Sequence, residues 1–233
     1  MGRSPGTARR PGLRLQAGFP LGLLPPQSGG GHRLRLGRPR ILRPLDGNAG
    51  QWHGGRTQGP LPGFVNEKLR LVPDWPKEPN LNGVDFANAD KLRDALWRDE
   101  GLRESFIAAN PAALSTRDLE IVASWKRRIG RSFFVVRHLK RHSVFLDEGP
   151  SARAYGVCGL YDPIEKVVGS RLPVAVKAVL LPFEGRIVYD GLMKLYSVTF
   201  GPGMRKNIAA AYRRAREPGG IVTRIGDTAD KAG

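Results

Sequence analysis

The chain carries one cysteine, Cys158, in 233 residues. An internal disulfide framework and a cysteine-rich zinc module are thereby excluded. No apolar run approaches the length needed to span a bilayer. Acidic residues are scarce, with 21 Asp and Glu against 38 Lys and Arg, a formal charge of +17. Hydrophobic residues, at 40%, are too plentiful for a wholly disordered polyelectrolyte. The 30 Gly and 19 Pro follow no Gly-X-Y period.

Scarcity is sharpest in residues 1–63, which hold no Lys, Glu, Val or Tyr. They do hold 10 Arg against one acid, Asp46, together with 15 of the Gly and 9 of the Pro. Apart from Leu34-Arg35-Leu36 the segment shows no apolar alternation, so it cannot bury enough surface to offset its ordering entropy. It is expected to be disordered. One origin is an Arg/Gly tail that contacts nucleic-acid phosphates. The other is sequence upstream of a true start, with Val65 as an alternative first residue. With two Ser it matches an organellar transit peptide poorly, and Pro20 and Gly22 break the apolar patch Phe19–Leu24 that a secretory signal would need.

The remaining charge is uneven. Residues 64–120 carry a net −3, residues 121–216 a net +12, and the tail from Glu217 a net −1. A Pro-rich and helical lead-in is expected over 64–113, an α+β domain over 114–216, and a flexible tail over 217–233. In the lead-in, Pro73, Pro76 and Pro79 favour an extended path with Trp75 pressed onto the domain. Asp85 is a plausible cap for a helix over 86–99 with Ala89, Leu92 and Leu96 inward. Gly101 is expected to break it before a short helix that ends at Asn110-Pro111. Ser115 with Asp118 opens a further helix with a stripe of Ile121, Trp125 and Ile129, closed by Gly130.

Beyond Gly130 the period changes from helix to strand. Strands are expected over 132–137 and 143–147, turning near Leu139–Arg141, then over 154–161, 172–181, 186–189 and 195–200. Asp190-Gly191 reads as a turn, and Pro182 as a strand end. Met204, Ile208 and Tyr212 mark a closing helix after Gly201-Pro202-Gly203. Short strands without intervening helices indicate an α+β class: a helical N-terminal lead-in, an antiparallel sheet or small barrel of about six strands, and a closing C-terminal helix.

Arg137 to His142 reads Arg-His-Leu-Lys-Arg-His directly after Phe133-Phe134-Val135-Val136. Basic residues interleaved with aromatics suit a surface where bases stack and phosphates pair. Candidate nucleic-acid contacts are Arg131, Arg137, His138, Lys140 and Arg141, with Arg213 and Arg214 at the end of the last helix. The two Phe are adjacent and point to opposite faces, so at least one belongs to the core. Gly203, Arg205 and Lys206, at the start of the last helix, form a candidate anion site. His138 and His142 have the spacing of half a zinc site, but no second half exists, so neither a metal nor a cofactor is expected. Cys158 lies in an apolar strand and reads as a small hydrophobe rather than a nucleophile.

The blocks Arg137–Asp147 (RHLKRHSVFLD) and Leu180–Gly191 (LLPFEGRIVYDG), with Phe200-Gly201 and Tyr212 following, resemble a family of small uncharacterised bacterial proteins, a domain of unknown function. The resemblance covers residues 110–216. It implies a bacterial, cytoplasmic domain and assigns no catalytic residue. The first functional expectation is a non-enzymatic domain that binds DNA or RNA through a basic and aromatic sheet face. The alternatives are a hydrolase or phosphate-handling enzyme, with a cleft near Gly201–Lys206 and Asp190, and a protein–protein interaction module. No membrane partner is expected.

Overall fold

A computed structural model describes residues 40–41, 60–75, 86–160, 162–217 and 219–226. The expected disorder of most of 1–63, the Asp85 cap, the extended path at Pro76 and Pro79 and the last seven residues of the tail lie outside the described residues. Within them the chain is α+β, and no described helix is long and apolar enough to cross a membrane.

Four helices lie between residues 60 and 124: α1 (Pro60–Leu69), α2 (Phe86–Arg98), α3 (Glu100–Ala109) and α4 (Thr116–Ser124). Helix α1 was not expected. Its apolar residues Leu61, Phe64 and Val65 follow the i, i+3, i+4 spacing and are buried, so the helix runs across the 63/64 boundary. Asn66 then closes the following loop by bonding both the N–H and the C=O of Val72, each at 2.8 Å. Helix α2 buries Ala89, Leu92 and Leu96 as its spacing indicated. The break after it belongs to Asp99, whose carboxylate accepts from the Gly101 N–H and caps α3, and Gly101 itself is helical. Ser115 caps α4 as expected. That helix ends earlier than its stripe suggested. Trp125–Arg127 form a 3-10 turn, and Ile129 and Gly130 already belong to a strand.

The strands are β1 (Arg40–Ile41), β2 (Ile129–His138), β3 (Ser143–Asp147), β4 (Ala154–Cys158), β5 (Val174–Phe183) and β6 (Arg186–Leu195). Strand β2 pairs with β3, β3 with β4, β4 with β6, β6 with β5, and β5 back with β2. Each of these five strands thus has two neighbours, and the ladder closes into a ring. The β4–β6 pair is parallel, a correction to the all-antiparallel expectation, and spans two residue pairs, Val157 with Ile187 and Cys158 with Val188. Where β4 lacks a β6 partner, Val222 takes its place beside Ala154 and Gly156 through two 2.8 Å backbone bonds. Strand β1 adds to the far end of β6.

Three further corrections concern β5 and β6. Pro182 does not end β5, because the strand runs on to Phe183 and turns at Glu184-Gly185. Both turn residues have positive φ, 46° and 74°, the geometry of a two-residue hairpin. Asp190-Gly191 is a bulge inside one long β6, where Tyr189 faces Leu180 but Met193 faces Ala178. Residues 196–200 form no strand. A short helix, α5 (Ile164–Val168), escaped the sequence reading although Ile164, Val167 and Val168 have helical spacing and are buried.

Side-chain alternation sorts the core into three parts. Phe133, Val135, Phe145, Val157, Val176, Leu180 and Ile187 fill the ring interior, which α5 closes on one side and Ile225 joins. On the outer surface of β5 and β6, Val179, Leu181, Phe183 and Val188 pack under the lead-in helices. On the outer surface of β2, β3, β4 and the start of β5, Phe134, Val144, Leu146, Ala154 and Ala175 pack under α6 (Pro202–Arg216). Strands buried on both faces read as continuous apolar runs, and every residue of β3 is buried.

Candidate nucleic-acid interface

Strand register defines the two ends of the ring. Val135 pairs with Val174 and Ser143 with Val157, so the 139–142 hairpin loop lies beside the start of β5 and the end of β4. Ile129 pairs with Leu180 and Leu146 with Ala154, which places the 148–153 loop and the Glu184-Gly185 turn at the opposite end. Helix α6 runs from the first end to the second. Its Arg205 donates to the carbonyls of Phe200 (3.0 Å) and Leu172 (3.5 Å), while its last turns face the 150–154 loop.

This register divides the sequence candidates into two groups. Arg137, His138, Lys140 and Arg141 come together with Gly203, Arg205 and Lys206 at the hairpin end. The link is the 169–172 loop, which accepts from His138 at Gly169 and from Arg205 at Leu172. Arg171, missed by sequence reading, sits in that loop and is exposed. Its signal was weak, a lone arginine between Ser and Leu. Arg131, Arg213 and Arg214 lie toward the other end. Two sites expected to be separate are thus one surface, and one expected site is split.

At the hairpin end Arg137, Lys140, Arg141, Arg171, Arg205 and Lys206 are all exposed. Among the described residues none of the six forms an ion pair with a carboxylate. The acids there are Asp162, paired with Lys166 at 3.0 Å, and exposed Glu165. Leu139, at the loop tip, is one of three large exposed apolar side chains among the described residues. His138 is fixed by two bonds. Its Nε2–H donates to the Gly169 carbonyl at 3.1 Å, which leaves Nδ1 to accept from the Ser143 hydroxyl at 2.7 Å. His142 turns the other way and lies on Gly156, where a Cβ would come within 2.8 Å of its ring. Burial holds its pKa below the usual histidine range. The two histidines therefore go to different partners, and no group of three or more His, Cys, Asp or Glu among the described residues is placed to hold a metal ion.

The expected aromatic platform is a correction. Phe133 is 0% exposed inside the ring, against Phe145 and Tyr155. Phe134 is 3% exposed under α6, with its ring centroid 5.6 Å from Phe200. Neither phenylalanine is open to a base. The outer face of β2–β4 is covered because its residues are apolar and need burial, and α6 supplies Ile208 and Ala211 to meet them.

The other candidate chemistry is internal. Asp190 is 3% exposed at the β6 bulge, accepts from the Trp97 indole at 2.9 Å and lies 3.8 Å from the Arg93 guanidinium. Burial pushes its pKa up to about 6, against the pull of Arg93 and Trp97. Arg93 also binds Asp90 at 2.7 Å and Asp94 at 3.1 Å, and Lys194 pairs with Asp90. Burial works against the Arg93 charge, and the surrounding carboxylates, Asp190 foremost, outweigh it. This network fastens α2 to β6. Its one sequence signal was a cation, Arg93, on the apolar stripe between Ala89 and Leu96. Asp190 is tied to α2 and Gly201–Lys206 to the hairpin end, and among the described residues no side-chain hydrogen bond or ion pair joins them. Cys158 packs against the lead-in core with its thiol 3.5 Å from the Arg141 carbonyl, and burial pushes its pKa up, as suits a small apolar filler.

Compared with known proteins, the chain matches no family model, no curated sequence and no solved structure.

Proposed function

We propose that the protein is a non-enzymatic binder of single-stranded DNA or RNA that grips the phosphate backbone with the hairpin end of its barrel. The observation that carries this reading is the set of six exposed cations there without a carboxylate partner among the described residues. A cation already paired within the protein must break that pair before it can neutralise a phosphate, whereas these six need not.

Two further features support it. The ring order β2-β3-β4-β6-β5, with a helix between its third and fourth strands along the chain, is that of the small Greek-key barrels that bind oligonucleotides and oligosaccharides. The loop between the first two strands is one of the loops such barrels use, and here it is Leu139-Lys140-Arg141-His142. Fold likeness alone assigns no function, so the charge arrangement has to bear the weight. With Phe133 and Phe134 buried, base stacking contributes little. Binding is then dominated by phosphates, tolerant of sequence and strongly salt-dependent.

The test is fluorescence anisotropy of the full chain with labelled mixed-sequence single strands of DNA and of RNA across a salt series. Binding that tightens steeply as salt falls supports the reading. No binding at low salt to either strand sinks it.

A further inference from the structure

We infer that His138 is a positioning residue for nucleic-acid binding and does not itself grip a phosphate. It holds the 169–172 loop so that Arg171 meets the strand together with the hairpin cations. The inference rests on the proposed grip at the hairpin end, and it gives His138 a different part there from its neighbours Arg137, Lys140 and Arg141.

Both ring nitrogens of His138 are taken within the protein. Nδ1 accepts from the Ser143 hydroxyl at 2.7 Å, and Nε2–H donates to the Gly169 carbonyl at 3.1 Å. Ser143 is buried, so the inner bond fixes the ring and aims the outer one. A neutral imidazole has a single N–H donor, and here the Gly169 carbonyl holds it. None is left for a phosphate oxygen.

The loop that receives this bond has little else to set its path. Val168 is buried at its start, and Leu172 packs against the ring interior at its end. Gly169, Ser170 and Arg171 between them are exposed. Gly169 has a φ of +84°, where glycine turns freely and other residues do not. Its N–H bonds the Glu165 carbonyl at 2.8 Å and closes α5. Among the described residues, Ser170, Arg171 and Leu172 make no backbone–backbone hydrogen bond. The Gly169 carbonyl is therefore where the exposed part of the loop is fastened, and His138 fastens it.

Arg171 depends on that fastening, because no carboxylate among the described residues orients it. A long side chain on a loose loop must give up more freedom on binding than one on a fixed loop. The bond also satisfies a carbonyl at the end of α5, a structural role. At this exposed place water would replace it, so its loss changes stability little. Its effect lies in where Arg171 stands.

A double-mutant cycle on the full chain tests the assignment, read as anisotropy of a labelled single strand of about sixteen nucleotides across a salt series. Arg171→Ala should weaken binding by about fivefold and lower the log–log salt slope by about 0.7, one phosphate contact. His138→Asn keeps an acceptor for Ser143 but is too short to reach Gly169. It should weaken binding by about threefold to fivefold and lower the slope likewise, although the neutral ring carries no charge to remove. His138→Gln places an amide N–H near the Nε2 position and should stay within about twofold of wild type. Added to Arg171→Ala, His138→Asn should cause no further loss, whereas with Lys140→Ala the two losses should multiply. Melting temperatures of the His138 variants should match wild type.

Losses that multiply in the His138–Arg171 cycle would make the histidine an independent contact and overturn the inference. So would full affinity in His138→Asn, or a His138→Gln variant no better than His138→Asn. A large fall in melting temperature for His138→Asn overturns it too, since the bond would then hold the fold. Failure of the wild-type chain to bind the strand at low salt removes the grip itself. Wild-type binding with a multiplying cycle removes only the part given to His138.

Discussion

The two ends of the barrel carry the same residue types and use them differently. At the end opposite the hairpin, Arg117 binds Glu184 at 2.5 Å, Arg128 binds Glu100 at 3.0 Å and lies 5.3 Å from the Trp97 ring centroid, and Arg131 binds Asp147 at 3.1 Å. At the hairpin end, six exposed cations meet no carboxylate among the described residues. The first group ties loops and helices to the ring, and the second is available to a polyanion. Arg213 and Arg214, also toward that opposite end, are exposed and have no carboxylate partner among the described residues, so the contrast lies in Arg117, Arg128 and Arg131, which are paired. The buried Arg93–Asp190 network is the extreme of the paired kind, and it joins the acidic lead-in to the basic barrel.

That contrast can be broken at either side. The largest effect is expected inside the paired network. Arg93→Ala leaves Asp190 without its cation in a buried place and should cost about 3–5 kcal/mol by urea unfolding. Nucleic-acid affinity of the still-folded fraction should not change.

Next comes the open side. Arg137→Glu, Lys140→Glu and Arg141→Glu together should leave stability within about 0.5 kcal/mol per substitution, because none of the three loses a partner. Affinity for single strands should fall by orders of magnitude. Electrophoretic shift and urea unfolding on the same preparation separate these outcomes, and equal losses in both would erase the distinction between the ends.

The buried network also fixes a pH dependence. The pKa of Asp190 is raised to about 6 from 3.8, so the fold holds that proton more tightly than the unfolded chain does. Its contribution is fully present below pH 3.8 and is lost as pH rises through about 6. Asp147 and Glu148, raised by burial, act in the same direction. Asp190→Asn should therefore flatten the fall in stability between these pH values relative to wild type. Parallel profiles for the two proteins would contradict it.

The smallest effect is expected at the exposed bridges. Arg117→Ala removes an ion pair whose arginine is 75% exposed, and thermal unfolding should register about 0–1 kcal/mol. A larger cost would mean that Arg117 anchors α4 to the β5–β6 turn more firmly than a solvated pair can.

Much of this fold was legible in sequence because local rules and tertiary packing agreed. Ser115 capped the helix it was expected to cap, and the 139–142 turn fell between the strands expected around it. The misses share a cause. Asp190-Gly191 has turn chemistry, yet the strand continues through it as a bulge, because its partners Arg93 and Trp97 lie about ninety residues away. Pro182 tolerates the end of β5. Phe133-Phe134 looked like a platform because a strand buried on both faces has no polar side to reveal the covering helix. The candidate surface was legible only as two fragments. Arg137–His142 and Gly203–Lys206 lie more than sixty residues apart in the chain, and contacts through the 169–172 loop join them.

The most direct test of the account sets the two ends against each other in one salt titration. Binding of a labelled single strand is measured for the full chain, for the Arg137→Glu, Lys140→Glu, Arg141→Glu variant, and for a matched variant with Arg117→Glu and Arg131→Glu at the opposite end. The expected result is that the hairpin-end variant loses about 0.7 of log–log salt slope for each phosphate contact removed, while the opposite-end variant keeps the wild-type slope. Equal loss of slope in both variants would contradict the account, since it would mean that overall charge, and not the unpaired cations at the hairpin end, holds the nucleic acid.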